Sequence, residues 1–416
     1  MKSNNTGLRL GLLLAFGLAF ILVFALLSPL NKNAGKESEK GEEVAVPENE
    51  SVYEMADSVF ALAKVKYQAM DARLAEDRIP KTFVNGKPVD SPAEDWVSGF
   101  FPGSLWLIYK YTGDNDIKAL AEKNTRKLEA LPERNTGHDI GFQINCSYGN
   151  AYRLTGDAAW LPTIRRGAET LAARFSSVVG ATRSWDGGGW TWPVIIDNMM
   201  NLEIFTYAAG LFDEDKFLKM AKTHANTTIK NHFRPDFTTW HVLDYDPETG
   251  KVIAKKTHQG LADGSAWARG QAWALYGYTM MYRETREKAY LKQAEGIAKM
   301  LIDRLPSDGV PLWDFDAPEN DFRDSSAAAI MASAFVELAF LTRYKSLSDS
   351  CLIMAKKQLR TLSSPEYLAP AGENGDFLLK HGVGNMPKNS EVDTPLSYGD
   401  YYFLEALLRI VKKQIL

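Results

Sequence analysis

Two short stretches each set a single aspartate among apolar and amide side chains: His138-Asp139-Ile140-Gly141-Phe142 and Ile195-Ile196-Asp197-Asn198-Met199-Met200-Asn201. A carboxyl enclosed by Ile, Met and Phe is costly to ionise, so its pKa rises and it can hold a proton near neutral pH. That is what a general acid needs. Each aspartate also has a plainer reading. Asp139 immediately precedes a helical pattern and would then be an N-cap. With Pro193 in a first turn, Asp197 falls within an enclosed helix, where a buried Asp would pair with an Asn or Arg; Asn201, one turn on, is such a partner.

Other polar residues stand in similar settings. Arg269, between Trp267 and Trp273 on an apolar segment, must find an anion, which is either a protein carboxylate or a carboxylate on a substrate. His138, His241 and His258 match no zinc spacing and are expected to hydrogen-bond in place or contact a ligand. No metal and no cofactor is expected. Asp244, Asp246 and Glu248 superficially resemble a calcium loop, but Lys255 stands where a bidentate Glu is needed. The run Asp186-Gly187-Gly188-Gly189 is no phosphate loop, having neither a strand before it nor Lys-Ser/Thr after it.

These residues need a frame to hold them. Some segments are amphipathic, as in Tyr290, Leu291, Ala294, Ile297, Ala298, Leu301, Ile302 and Leu305; others, such as Ser265–Tyr282 and Trp192–Gly210, are apolar almost all round. The first kind has one wet face and the second must be enclosed. Short turns join them at Thr112-Gly113-Asp114, Thr155-Gly156-Asp157, Asp213-Glu214-Asp215 and Thr285-Arg286, each able to stop one helix and start the next. The pattern predicts about twelve helices, at 51–72, 98–112, 115–130, 142–154, 158–177, 192–211, 214–231, 265–283, 288–304, 324–343, 346–362 and 396–413. Six inner and six outer helices make an all-α toroid, an (α/α)6 barrel. Its long loops at 131–141, 180–191, 232–264 and 363–395 would gather at one rim, with Trp96 and Trp192 near them. One of these loops carries a β-hairpin, Trp240–Tyr245 against Lys251–Lys256, which sets His241 opposite Lys256 and brings His241 near His258.

Composition narrows the possible functions. The 416 residues are 45% hydrophobic and 11% aromatic, ample for a large core; exposed Trp and Tyr are the usual platforms for flat ligands such as sugar rings, although most aromatics are simply core. A formal net charge of −4 gives no polybasic footprint, so nucleic acid is not expected as a partner. The apolar block from Leu10 to Leu27, behind Lys2 and Arg9, predicts export through a signal peptide or an N-terminal membrane anchor over 1–30, with the anchor slightly favoured. The protein is then periplasmic, or membrane-anchored facing the periplasm or exterior. Residues 31–50 read as a flexible tether and 51–416 as the catalytic domain. The only cysteines, Cys146 and Cys351, lie in helical segments and form no disulfide scaffold.

Seven motifs occur in order from about residue 50 to the C-terminus: Trp96-Val97-Ser98-Gly99-Phe100-Phe101-Pro102-Gly103, His138–Phe142, Ile196–Leu202, His258-Gln259-Gly260, Trp267-Ala268-Arg269-Gly270-Gln271-Ala272-Trp273, Asp324-Ser325-Ser326-Ala327-Ala328 and Gly399-Asp400-Tyr401-Tyr402. Each alone is weak. The ordered set closely resembles glycoside hydrolase family 88, the unsaturated glucuronyl hydrolases. The resemblance implies an (α/α)6 barrel that removes a non-reducing-end 4,5-unsaturated uronic acid from oligosaccharides left by polysaccharide lyases, whether glycosaminoglycan or algal uronan fragments. It implies Asp197 as general acid/base and Asp139 as a second essential aspartate. Trp96, His138, His241, His258, Gln259, Trp267, Arg269 and Trp273 would then contact or surround the sugar. A polysaccharide lyase on the same toroid, or a surface sugar-binding protein without turnover, are the alternatives.

Overall fold

In the computed structural model, which describes residues 51–134 and 137–412, helices alternate between an outer and an inner layer. The outer layer is α1 (Val52–Arg73), α3 (Asn115–Arg126), α6 (Leu161–Ala172), α9 (Asp215–His232), α11 (Lys288–Arg304) and α13 (Lys345–Leu362). The inner layer is α2 (Phe100–Thr112), the pair α4 (Ile140–Ile144) and α5 (Asn150–Thr155), the pair α7 (Asn198–Asn201) and α8 (Glu203–Phe212), α10 (Ala268–Thr285), α12 (Ser325–Leu341) and α14 (Ser397–Lys412). Inner neighbours pack in a closed circuit: α14 on α2, α2 on α5, α4 on α7 and α8, α7 on α10, α10 on α12, and α12 on α14. This is the (α/α)6 toroid.

The two layers follow from the two helix patterns. Every residue of α10 from Ala268 to Tyr282 is buried, whereas α11 buries one stripe that includes Tyr290, Ala294, Ile297, Ala298 and Leu301. Inner-to-outer connections are short. Gly113 and Gly156 end their helices in the left-handed region, at φ 70° and 66°, and Asp114 and Asp157 cap the next helices through backbone N–H groups. Outer-to-inner connections are long, so the six inner helices run in one sense and start at one rim, where all four predicted long loops lie.

Local structure departs from the sequence reading in several places. Residues 192–211 are not one helix: Pro193–Ile195 is a strand, Asp197 stands just before α7, and Leu202 separates α7 from α8. Asp197 is therefore at a helix start and not mid-helix. The cause is non-local, because Pro193–Ile195 pairs antiparallel with Val242–Tyr245, whose other edge takes Val252–Lys256. The predicted hairpin thus exists as part of a three-stranded sheet. A bulge at Asp244/Tyr245 takes up one residue, so Lys256 faces Val242 and not His241. Hairpins Ile79–Val84/Lys87–Ser91 and Gly382–Asn385/Ser390–Thr394 were not expected. The inner segment 140–155 is interrupted by a π-turn over Asn145–Gly149.

Residues 1–50 lie outside the described residues, and with them the apolar block and the tether. Among the described residues, no helix is long and apolar enough to cross a membrane.

Candidate active site

The inner-helix starts carry most of the residues singled out above. Trp96 opens a 3-10 turn ahead of α2, Asp139 and Asp197 directly precede α4 and α7, Trp267 precedes α10, and Asp324 precedes α12. A cavity of about 170 Å3 opens among them, lined by Trp96, His138, Asp139, Trp185, Ile195, Asp197, His258, Gln259 and Arg269. An adjoining space of about 250 Å3 shares Trp96, His138, Asp139 and Trp185 and extends towards Glu94 and Arg134. His241, Trp267 and Trp273 stand behind the wall, each under 5% exposed.

Burial pushes the Asp197 carboxyl up to about 7, and only in part does the nearby Arg269 charge oppose it. Its Oδ2 has no hydrogen-bond partner among the described residues, and neither has the His241 Nε2 that faces it at 3.8 Å. The tautomer of His241 follows from its other nitrogen. Nδ1 accepts backbone N–H groups from His258 at 3.2 Å and Gln259 at 3.3 Å, so the proton sits on Nε2 and points at Asp197. Burial first, then the His258 and Arg269 charges, hold this histidine neutral. The Trp273 indole N–H favours ionised Asp197 without completing a hydrogen bond to it. A partnerless acceptor and two partnerless donors therefore converge, as a polar ligand would require.

Asp139 is also pushed up to about 7, by burial, then by the Asp197 charge and by Asp95, with the Asn201 amide opposing. Asp139 is no N-cap, because its side chain makes no capping bond to α4. Nor does Asn201 serve Asp197. Its Oδ1 accepts the Phe142 N–H at 2.7 Å, which turns its Nδ2 towards His138 Nδ1 at 3.2 Å. His138 is thereby left with Nε2–H, 3.5 Å from Asp139 Oδ1, and burial lowers its pKa to about 3. Asn201 ties the turn bearing Asp139 to the turn bearing Asp197. Gly141 permits that approach, since a Cβ there would meet Asn201 Oδ1 at 2.5 Å and Asn201 Cα at 2.7 Å. Gly141→Ala is expected to destabilise the fold by about 1–3 kcal/mol in urea denaturation and to lower kcat more than tenfold by pushing the two carboxyls apart.

Arg269 resolves in favour of a protein carboxylate. At 1% exposure it donates to Asp324 Oδ2 at 3.0 Å, to Gly384 O at 2.6 Å and to Val383 O. It still lines the cavity, but its charge is held by Asp324. Trp267 stacks on His241, with ring centroids 4.3 Å apart, and so positions that ring. Gln259 donates to Gly384 O at 3.0 Å, and the His258 ring lies 6.5 Å from that of His241, near it as expected. Trp192 does not reach the cavity; it packs against the small cluster of Val179, Val194, Leu243 and Tyr245. Asp244 accepts the backbone N–H groups of Thr191 and Trp192, a structural use of that carboxylate.

Sequence reasoning missed Trp185 and gave Asp324, quoted only within a family motif, no role in the site. Trp185 lines the cavity with its ring 5.5 Å from that of His258; a Trp beside a glycine run was the available signal. Asp324 caps α12 through Ser326 N–H while holding Arg269, a use that Asp-Ser-Ser ahead of an apolar helix suggested.

Residues 72–402 match the family model for Glycosyl Hydrolase Family 88. The chain is 47% identical over 325 residues, 76% of its length and 80% of the relative's, to an unsaturated glucuronyl hydrolase of Formosa agariphila. It is 32% identical over 373 residues, 86% of its length and 92% of the relative's, to an unsaturated chondroitin disaccharide hydrolase of Streptococcus agalactiae. Among solved structures, an unsaturated glucuronyl hydrolase specific for heparin superposes with a TM-score of 0.84 at 45% identity, covering 86% of this chain and 98% of that one. With the model spanning most of its length and the toroid shared, the chain belongs to glycosyl hydrolase family 88.

Proposed function

We propose that the protein hydrates the C4=C5 double bond of an unsaturated uronic acid at the non-reducing end of lyase-generated oligosaccharides, with Asp197 as the acid. The observation that carries this reading is the carboxyl of Asp197, pushed up to about 7, with an oxygen that has no partner among the described residues, on the cavity wall. The substrate is a vinyl ether. Protonated Asp197 gives its proton to C4, the π bond breaks, and the positive charge at C5 is shared with the ring oxygen. Water attacks C5 and the Asp197 carboxylate takes its proton, which restores the acid. The hemiketal at C5 then collapses to a ketone, the ring opens, and the hemiacetal left at C1 releases the aglycone.

Neighbouring groups suit the cycle. His241 Nε2–H can steady the carboxylate after proton transfer, when charge first appears there. Asp139 accepts ring hydroxyls, its own carboxyl pushed up by burial and by the Asp197 charge. Unlike an ordinary glycosidase pair working across C1, one proton-holding acid suffices.

Turnover should fall as pH rises through about 7, because the reacting form is the protonated one. Above that point kcat/KM is expected to drop about tenfold per pH unit, measured on one disaccharide in constant-ionic-strength buffers. A profile flat to pH 9 would remove Asp197 as the acid.

A lyase on this toroid would need a base, and the cavity histidines do not offer one. The acceptor nitrogens of His241 and His138 already take N–H donors, and His258 Nε2 faces Lys388 Nζ at 3.2 Å. An absorbance assay separates the readings. The alkene band disappears with a hydrolase, appears with a lyase, and stays unchanged with a binding protein. A panel of unsaturated disaccharides, sulfated and unsulfated, also decides between glycosaminoglycan and algal uronan sources. Export is part of the proposal, supported by the apolar block at 10–27, and cell fractionation tests it.

A further inference from the structure

A second concavity lies apart from the active site. A groove of about 1080 Å3 runs along the outer face of α11 and is bounded by the loop at Asp236-Phe237 and the turn at Arg343-Tyr344. Arg286, Lys288, Lys292, Lys299 and Arg343 line it, all exposed, and among the described residues none forms an ion pair. These five cations share the groove with three carboxylates, Asp236, Glu295 and Asp303, in a chain whose net charge is −4. The acidic lining is partly turned away. Asp236 accepts the backbone N–H and hydroxyl of Thr238, and Glu295, 8% exposed, accepts the Thr342 hydroxyl; Asp303 is exposed and has no such bond among the described residues.

The groove also has aromatic faces. Tyr344 is 62% exposed, with Lys299 Nζ 5.8 Å from its ring, and Arg286 stands 5.6 Å from the ring of Tyr282. Phe237, held at φ 68°, lies directly over Gly296, where any Cβ would collide with its ring. A non-glycine residue held in the left-handed region is strained, and here it fixes an aromatic wall. From Lys288 to Asp303 the helix runs about 22 Å at 1.5 Å per residue, room for several sugar rings end to end.

We propose that this groove is a secondary binding site for a sulfated or uronate-rich polysaccharide chain, which would hold the enzyme on the polymer whose fragments it processes. Spaced cations match a repeating anionic polymer, tyrosine faces match sugar rings, and a concave trough suits a chain and not a lipid surface. The proposal rests on the reading above only for the kind of polymer met, since the groove shares no residue with the active-site cavity.

The test uses the full-length chain and the double variant Lys292→Glu/Arg343→Glu, with saturated heparin and chondroitin sulfate chains as probes and dextran as the neutral control. Wild type should bind the anionic chains and not dextran, with affinity that falls steeply with salt. The variant should bind at least about tenfold more weakly, with a shallower salt dependence. Disaccharide turnover should be the same in both proteins, which keeps this test separate from the catalytic one. Absence of wild-type binding, equal binding by the variant, or tighter binding to anionic vesicles than to the polysaccharides would each overturn the proposal.

Discussion

Asp197→Asn should leave a folded protein that turns over unsaturated disaccharide at least about a thousandfold more slowly than wild type. The amide keeps the shape of the carboxyl and can still meet His241 and Trp273, but it can neither protonate C4 nor take the proton of the attacking water. Stability should move the other way. The folded pKa of Asp197 is raised to about 7 above its ordinary value near 4. Its contribution is therefore fully present below about pH 4 and is lost as pH rises through 7, where a buried carboxylate must form. The Asn variant has no such charge, so in urea titrations its stability relative to wild type should grow between about pH 4 and pH 7 and level off above. Retention of more than a tenth of wild-type turnover would discard Asp197 as the acid.

Breaking the Arg269–Asp324 pair is the second large effect. Both side chains are almost fully buried, and Asp324→Asn leaves the guanidinium with two carbonyls and no compensating charge. The expected loss is about 3–5 kcal/mol in chemical denaturation, of the size seen when one member of a buried pair is removed. Catalysis should suffer separately. Uncompensated Arg269 would draw the Asp197 pKa down, moving the alkaline limb of the pH profile to lower pH. Adding Arg269→Met to Asp324→Asn should restore part of the stability without restoring activity, because the orphaned charge is gone while the strand at Val383-Gly384 has lost its anchor. A double variant as unstable as the single one would show that the pair acts through packing alone.

The layer structure was legible because it is periodic. Helices at 288–304, 345–362 and 397–412 fall within a residue of the predicted bounds, since each shows several turns of one apolar stripe or a wholly apolar run. The stretch at 192–211 was not legible. Its apolar run suits a buried strand or a buried helix equally, and the choice was made by Val194 pairing with Leu243, far along the chain. The hairpin at 382–394 offers no alternating pattern and has Asn389, Glu391 and Asp393 in the left-handed region, so local propensity pointed away from a strand.

The site divides in the same manner. From residue types and neighbours alone came the two guarded aspartates, histidines that hydrogen-bond in place or contact a ligand, and an arginine obliged to find an anion. Which anion Arg269 takes, which partner Asn201 serves, and which nitrogen of His241 carries the proton were decided by α12, α4 and the 257–259 turn. Burial is a sum over everything packed around a group, and hydrogen-bond partners come from whichever elements the toroid brings to the rim. Sequence thus set the kinds of groups present, and only ring closure set the field in which they ionise.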